Sequence, residues 1–503
     1  MCAGRLALQT NATGVDAATA KLALMRVVVK ESPSSFGQPK TWAKYQFSTS
    51  DAADGPAFAC FRPFVGPPLA LPVSLVAPEF GRFLELAACD LATLGRCDLE
   101  SVCLARLLGV MHRYHKYEAS LQVEVNAALS AFLGHELRPL SPNKSSSSSS
   151  TDGSLVISVG GYDVLVAVVE YKRDAFAGCC DPHFQLLREL QMFWESPERD
   201  CCALHAADAC PALLLEVAGP LLRVSAAASL CANRVLSEPL TPFLHVLHVR
   251  DQPAYTARLL AALRALRTTV DDLVAHYSAR VAQLLPASDG STLRARDARI
   301  TLPYLLRDTA QFCDVEHLCD DKLLYMATHV RSSARVCVKF SRHAYGSNVH
   351  AAWAAAGCAP ALLSHAQLPG GLHMVVMELL DVASGWQVLC ALPRGTDKDA
   401  AHSAALSALR RAHEQPLPCG GRGAHGDCRA VNVMVRLAPA PIGDAANPAW
   451  DVRFVDFDGA GVEGRRTYPP LMSTAVRWPV GVLPGEPLKQ EHDMAMLVAE
   501  RGS

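Results

Sequence analysis

HGDCRAVN at residues 425–432, followed by RFVDFD at 453–458, is the stretch on which the reading of this chain turns. VNVMVRL at 431–437 and VRFVDF at 452–457 are apolar runs of strand length, and the segment between them is rich in Pro, Gly and Asn. Two such runs around a turn-rich segment read as a hairpin. Asp427 lies five residues before Asn432, and Asp456 falls near the end of the second run. A packing role alone does not call for Asp427, Asn432 and Asp456 as a set, which marks the stretch as chemical rather than merely structural.

In letters and in spacing the stretch resembles the catalytic loop and the metal-binding loop of protein kinases. The resemblance implies that Asp427 accepts the proton of the substrate hydroxyl, that Arg429 takes the place of the loop's usual lysine, and that Asn432 and Asp456 hold Mg²⁺. Working outward, RVCVKFSR at 335–342 is a short strand bearing Lys339, where a kinase places the lysine that contacts the α- and β-phosphates of ATP. HMVVMELLD at 373–381 resembles the strand that enters the hinge between lobes, with the backbone around Met377, Glu378 and Leu379 facing the adenine. DAAHSAALSALRRAHEQ at 399–415 matches the helix before the catalytic loop, and EHDMAML at 491–497 the start of the helix whose Asp493 ties that loop down beside His425. YPP at 468–470, WPVGVLPGEP at 478–487 and EHDMAML are similar to the fungal-type and Crinkler-type kinase-like domains, a divergent branch of the superfamily. The resemblance covers residues 296–503 and implies ATP and Mg²⁺ as cofactors and a protein hydroxyl as acceptor.

Three departures bear on activity. No glycine occurs between Gly290 and Gly346, so the glycine-rich loop that covers the phosphates is missing before Lys339. No acidic residue lies between Lys339 and Glu378, and the helix that normally supplies a glutamate to the lysine offers only Ser347, Asn348 or His350. The chain given stops ten residues after Asp493, short of the further helices of a full kinase, and Asp458 stands where a glycine usually follows the Asp-Phe pair.

TDGSLVISVGGYDVLVAVVEYK at 151–172 carries a second constellation. Glu170 and Lys172 are two apart on a strand and share a face, one suited to a divalent metal and the other to water activation. Asp163 is seven residues from Glu170, on the opposite face, and GGYD reads as the turn. Pairing 159 with 164 brings Asp152 opposite 171, beside Glu170 and Lys172. This arrangement, followed by a helix bearing Gln185, resembles the PD-(D/E)xK nuclease fold. An earlier helix glutamate often completes such a site, and Glu118 and Glu124 both qualify. The resemblance implies a second Mg²⁺ site and a nucleic-acid partner for this half, with His112, Arg113, His115 and Lys116 as a phosphate-contacting cluster.

The remaining composition sets bounds. At 503 residues and 50% hydrophobic, the chain can bury more than one core. A formal charge of −2 gives no bulk affinity for polyanions. The 18 cysteines are scattered through apolar segments, Cys179-Cys180 and Cys201-Cys202 lack zinc spacing, and the N-terminus is not signal-like, which reads as reduced thiols in an intracellular protein, cytoplasmic or nuclear. No apolar run is long enough to span a bilayer, so no membrane partner is expected. His245 and His248 are read as surface or core residues.

The expected organisation is α+β in two domains. Residues 1–40 form a poorly ordered arm, and 41–250 an α/β restriction-endonuclease-like core with a Ser-rich insert at 143–151. A connecting helix and linker span 251–295, and 296–503 form a divergent protein-kinase-like domain with a truncated C-lobe. Four functions stay open at this point: a protein serine/threonine kinase, a small-molecule kinase, a Mg²⁺-dependent nuclease, and a non-catalytic interaction protein.

Overall fold

The computed structural model describes residues 32–46, 58–60, 71–89, 98–140, 151–174, 180–196, 202–230, 234–247, 253–284, 298–319, 322–438 and 450–500. Most of the expected arm, nearly all of the Ser-rich insert and the expected linker at 285–295 lie outside them. The chain divides into two compact units, Met1–Arg307 and Asp308–Ser503.

In the first unit, helices α1 (Pro33–Phe36), α2 (Pro39–Gln46), α3 (Val73–Val76), α4 (Pro78–Ala88), α5 (Asp98–Met111) and α6 (Glu118–Leu133) come before the long hairpin of β2 (Gly153–Val159) and β3 (Tyr162–Lys172). Helix α7 (Pro182–Glu195) and the short α8 (Cys202–Ala207) lead to β4 (Pro211–Ala218), β5 (Leu221–Leu230), β6 (Arg234–Pro239) and β7 (Leu244–His245), and α9 (Pro253–Leu284) closes the unit. The sheet order is β1-β6-β5-β4-β3-β2, with β1 (Phe58–Cys60) parallel to β6 and β7 paired to β5. Strands β3 and β4 also run parallel, through α7, whereas β2 with β3, β4 with β5 and β5 with β6 are antiparallel. Eight successive residues of β3 and all of β4 are buried, the apolar continuity expected of strands covered on both faces.

The β2–β3 turn departs from the expected one. Gly160 and Gly161 both take positive φ, so the turn is two residues long and Val159 pairs with Tyr162. A bulge between Leu155 and Val156 shifts the register by one, so that Gly153 pairs with Val169. Asp152 is thereby carried to Glu170 and Tyr171, although the expected 159–164 pairing is wrong. The described end of the expected arm is folded: α1 seals the unit through Phe36, fully buried beside Phe184, while Trp42 of α2 stacks on Phe184 at 4.2 Å.

Helix α9, expected as a connector, is a core element of this unit. Leu259, Leu263, Leu266, Val270, Leu273, Tyr277 and Val281 recur every three or four residues and are all buried. Its polar side chains also tie it to its neighbours: at the surface Asp272 accepts both contacts from Arg82 of α4, and His276 lies between Glu79 at 3.0 Å and Asp208 at 2.7 Å. Burial opposes the charge on His276, but the two carboxylates lift it to about 9.

In the second unit, β8 (Phe312–His317), β9 (Leu324–His329), β10 (Ala334–Ser341), β11 (Leu362–Gln367) and β12 (His373–Glu378) form an antiparallel sheet in the order β11-β12-β10-β9-β8, with α10 (Ser347–Ala355) between β10 and β11. Next come the short β13 (Gln387–Val388), helix α11 (Thr396–His413) and β14 (Gly423–Ala424), then the hairpin of β15 (Val433–Leu437) and β16 (Trp450–Phe454), β17 (Gly461–Val462) and α12 (Gln490–Ala499). The hairpin that opened the sequence reading thus forms, with Val433 paired to Phe454. Both units are α+β. Among the described residues no helix is long and apolar enough to cross a membrane.

Candidate functional site

In the second unit Asp493 organises the loop. Its carboxylate is fully buried and accepts the amides of His425 at 2.7 Å and Gly426 at 2.8 Å and the ring of His413 at 3.1 Å. The His425 ring donates from Nε2 to the carbonyl of Val455 at 3.0 Å, joining the loop to the end of β16. Trp353 of α10 is fully buried against Phe454 and Phe457, with His413 and His425 at its edge. The loop is therefore pinned both by hydrogen bonds and by aromatic packing. Glu500, unforeseen from the sequence, accepts the amide of Ala430 at 2.5 Å.

Asp427 is part-exposed and held by a two-point contact from Arg429, Nε at 2.5 Å and Nη2 at 2.8 Å. The amide nitrogen of Asn432 donates to the carbonyl of Asp427 at 2.9 Å and to its carboxylate at 3.0 Å. That engages the nitrogen of Asn432 and leaves its oxygen as an acceptor. Asp456 has φ of +72°, a left-handed conformation that costs a non-glycine residue roughly 1 kcal/mol or more. Asp456 is ion-paired to Lys339 through one oxygen and, at 3.1 Å, to Lys322 through the other. Burial works against its charge, yet the two lysines keep it well below the usual carboxylate range. An ionised carboxylate and an amide oxygen are hard donors of the kind Mg²⁺ takes, so Asp456 and Asn432 fit that ion. Among the described residues no group of three or more His, Cys, Asp or Glu side chains could hold a metal.

Lys339, buried in mid-sheet between Leu324 of β9 and Val375 of β12, lacks a helix glutamate, and none of the candidates on α10 replaces it. His350 donates from Nε2 to the carbonyl of Pro360 at 2.8 Å, accepts from the Tyr345 hydroxyl at 2.7 Å, and lies flat on Phe457 at 4.5 Å. Burial, with His425 and Lys339 nearby, pulls its pKa to about 4, so it is a neutral ring. Instead Asp458, at the position of the usual glycine, lies 2.7 Å from the Lys339 ammonium. Burial disfavours the charge on Lys339, but Asp456 and Asp458 raise its pKa above the ordinary value. The sequence showed Asp458 as a missing glycine; only the fold shows it as a lysine partner. At the end of β12, Met377 is buried and Leu379 half-buried. The Glu378 amide donates to the carbonyl of Ala361 at 2.9 Å, so that one amide is engaged within the fold.

In the first unit Asp152, Glu170 and Lys172 come together. Tyr171 N donates to the Asp152 carboxylate at 3.0 Å, and Lys172 Nζ lies 2.5 Å from Glu170 Oε1. Burial and then Asp152 lift the Glu170 pKa to about 7 against the pull of Lys172. The structure chooses between the two helix glutamates. Glu118, at the start of α6, accepts the Arg173 amide at 3.3 Å and adds charge to the cluster, whereas Glu124 pairs with Arg113 at the surface at 2.9 Å. Farther along α6, Gln122 and Asn126 both donate to the Asp152 carbonyl.

Gln185 is buried with an unpartnered Oε1, and four residues on along α7 Glu189 is buried with an unpartnered Oε2. Burial, then Glu170 and Asp152, push Glu189 well above the usual carboxylate range. The sequence reading missed Glu189; its signal was the i, i+4 spacing from Gln185. Asp163 stays at the hairpin tip, bonded to Ser158 at 2.6 Å. The expected basic cluster does not form a free patch: His115 is buried on the carbonyl of Val110, His112 bonds the carbonyl of Val246, and Arg113 is paired with Glu124.

No protein-family model matches the chain, and no curated protein matches it. Among solved structures it is similar to that titled "Structure of vaccinia related kinase 3", with 14% identity and a TM-score of 0.25. That match covers 37% of this chain and 61% of the other, so the chain spans less than two thirds of the protein it matches.

Proposed function

We propose that the second unit is an ATP- and Mg²⁺-dependent phosphotransferase of divergent protein-kinase type, acting on a protein hydroxyl. The observation that carries this reading is the ion pair between Lys339 of the five-stranded sheet and Asp456 beyond β16, residues 117 apart in the chain. It supports a shared phosphate and metal position beside the Asp427–Asn432 pair. In this reading Asp427 takes the proton of the acceptor hydroxyl, Arg429 steadies it, Lys339 orients phosphates, and Asn432 and Asp456 hold Mg²⁺, which neutralises charge on the phosphates when bound. The test is calorimetric titration of the full chain with ATP, with and without Mg²⁺, repeated on Asp456→Ala. Mg²⁺-dependent binding that weakens at least about tenfold in the variant is expected, given the loss of a charged metal ligand. Binding indifferent to Mg²⁺ and to the substitution would sink the assignment. Transfer to small alcohols but to no protein would select a small-molecule kinase instead.

A second reading, favoured by the cluster of buried Glu170 and Glu189 with half-buried Asp152 and Lys172, is a Mg²⁺-dependent nuclease in the first unit. Here Asp152 and Glu170 would supply oxygen ligands, and Lys172 would position water. Metal-dependent nicking of supercoiled plasmid, lost in Lys172→Ala, is the expected result. Cleavage that persists in that variant rules the cluster out as its source.

A further inference from the structure

The sequence between β8 and β9, residues 318–323, contains no glycine, so it lacks the residue that lets backbone amides close tightly over phosphate oxygens. It contains Lys322 instead. The backbone there is anchored: the carbonyl of Lys322 accepts the Leu324 amide at 2.9 Å and the His317 ring at 2.8 Å. From this fixed base the side chain reaches Asp456 at 3.1 Å while remaining 50% exposed, in contrast to the 10% of Lys339. An ion pair with one partner so exposed contributes little to stability, so folding alone does not explain why the turn directs a cation here. Two ammonium groups from two parts of one sheet thus converge on the two oxygens of a single carboxylate, an arrangement that phosphate oxygens also satisfy.

We propose that Lys322 is a phosphate-binding residue of the nucleotide site, taking over with one side-chain charge the role that backbone amides have in a glycine-rich loop. The proposal rests on the ATP reading given above. In the absence of nucleotide Asp456 occupies both lysines. With Mg·ATP present, Asp456 turns to the metal, and Lys322 and Lys339 exchange carboxylate for phosphate oxygens without either charge losing an anionic partner. The contact is to phosphate, so adenosine does not feel it.

The experiment is calorimetric titration of the full chain, wild type, Lys322→Ala and Lys322→Arg, with Mg·ATP and separately with adenosine. The expected result is a loss of about tenfold or more in Mg·ATP affinity in Lys322→Ala, with adenosine affinity within about twofold of wild type and most of the Mg·ATP affinity kept by Lys322→Arg. Equal Mg·ATP affinity in wild type and Lys322→Ala overturns the proposal and leaves the nucleotide site standing. A parallel loss of adenosine binding also overturns it, by placing the effect on the fold of the turn rather than on phosphate. Wild-type protein that binds neither ligand overturns the ATP reading and this inference together, and that failure is visible before any variant is made.

Discussion

Asp427→Asn is expected to lower phosphoryl transfer by at least about 100-fold while leaving Mg·ATP affinity within a factor of about three. Asparagine keeps the one oxygen that accepts from Arg429 Nη2 at 2.8 Å and from the Asn432 amide at 3.0 Å and gives up the Arg429 Nε contact, so two of the three contacts that hold the loop survive the change. What is lost is the ability to accept a proton. Lys339, Lys322 and Asp456 lie outside the substitution, so the groups assigned to phosphate and metal remain. Transfer of labelled γ-phosphate, followed beside calorimetric ATP binding on the same preparation, separates the two quantities. Undiminished transfer would remove Asp427 from the chemistry, and a joint loss of binding and transfer would make its role structural.

Asp493→Ala is expected to destabilise the second unit by about 2–5 kcal/mol, because it leaves the amides of His425 and Gly426 buried without an acceptor and takes the Nε2 partner from His413. For a unit of this size that is a fall of roughly 5–15 °C in its melting temperature. Asp493→Asn, which keeps one acceptor oxygen, is expected to lie between alanine and wild type. Calorimetric melting of the full chain reads both, and a transition unmoved by the alanine variant would mean that the loop is held by the Trp353 packing and the Glu500 contact instead.

The motif hairpin was legible because its cues are local. Alternating and continuous apolar runs specify β15 and β16, and the intervals among Asp427, Asn432 and Asp456 are features of the chain itself. The helix at 182–195 was legible for the same reason, its Asp181 N-cap and Pro182 marking the start. The register of β2 and β3 was not, since a two-residue glycine turn and a bulge nearly cancel and no apolar pattern records their sum. Nor was β6, whose RVLSEP is only weakly apolar and becomes a strand by pairing with β5 and β1. Helix α9 shows an apolar stripe that announces burial but not the surface it covers; the contacts of Asp272 and His276 with α4 decide that.

By itself the sequence determined which side chains are candidates for chemistry: Asp427, Asn432, Asp456 and Lys339 in one half, Asp152, Glu170 and Lys172 in the other. Only the tertiary structure decided how their charges are balanced. It gave Lys339 to Asp456 and Asp458 instead of a helix residue, neutralised His350, brought Lys322 in from the β8–β9 turn, and set the unpartnered Glu189 beside Glu170. The physical reason is range. Strand and helix patterns arise from neighbours a few residues apart, whereas the charge state of a buried group depends on desolvation and on ions within a few ångströms, wherever in the chain they originate.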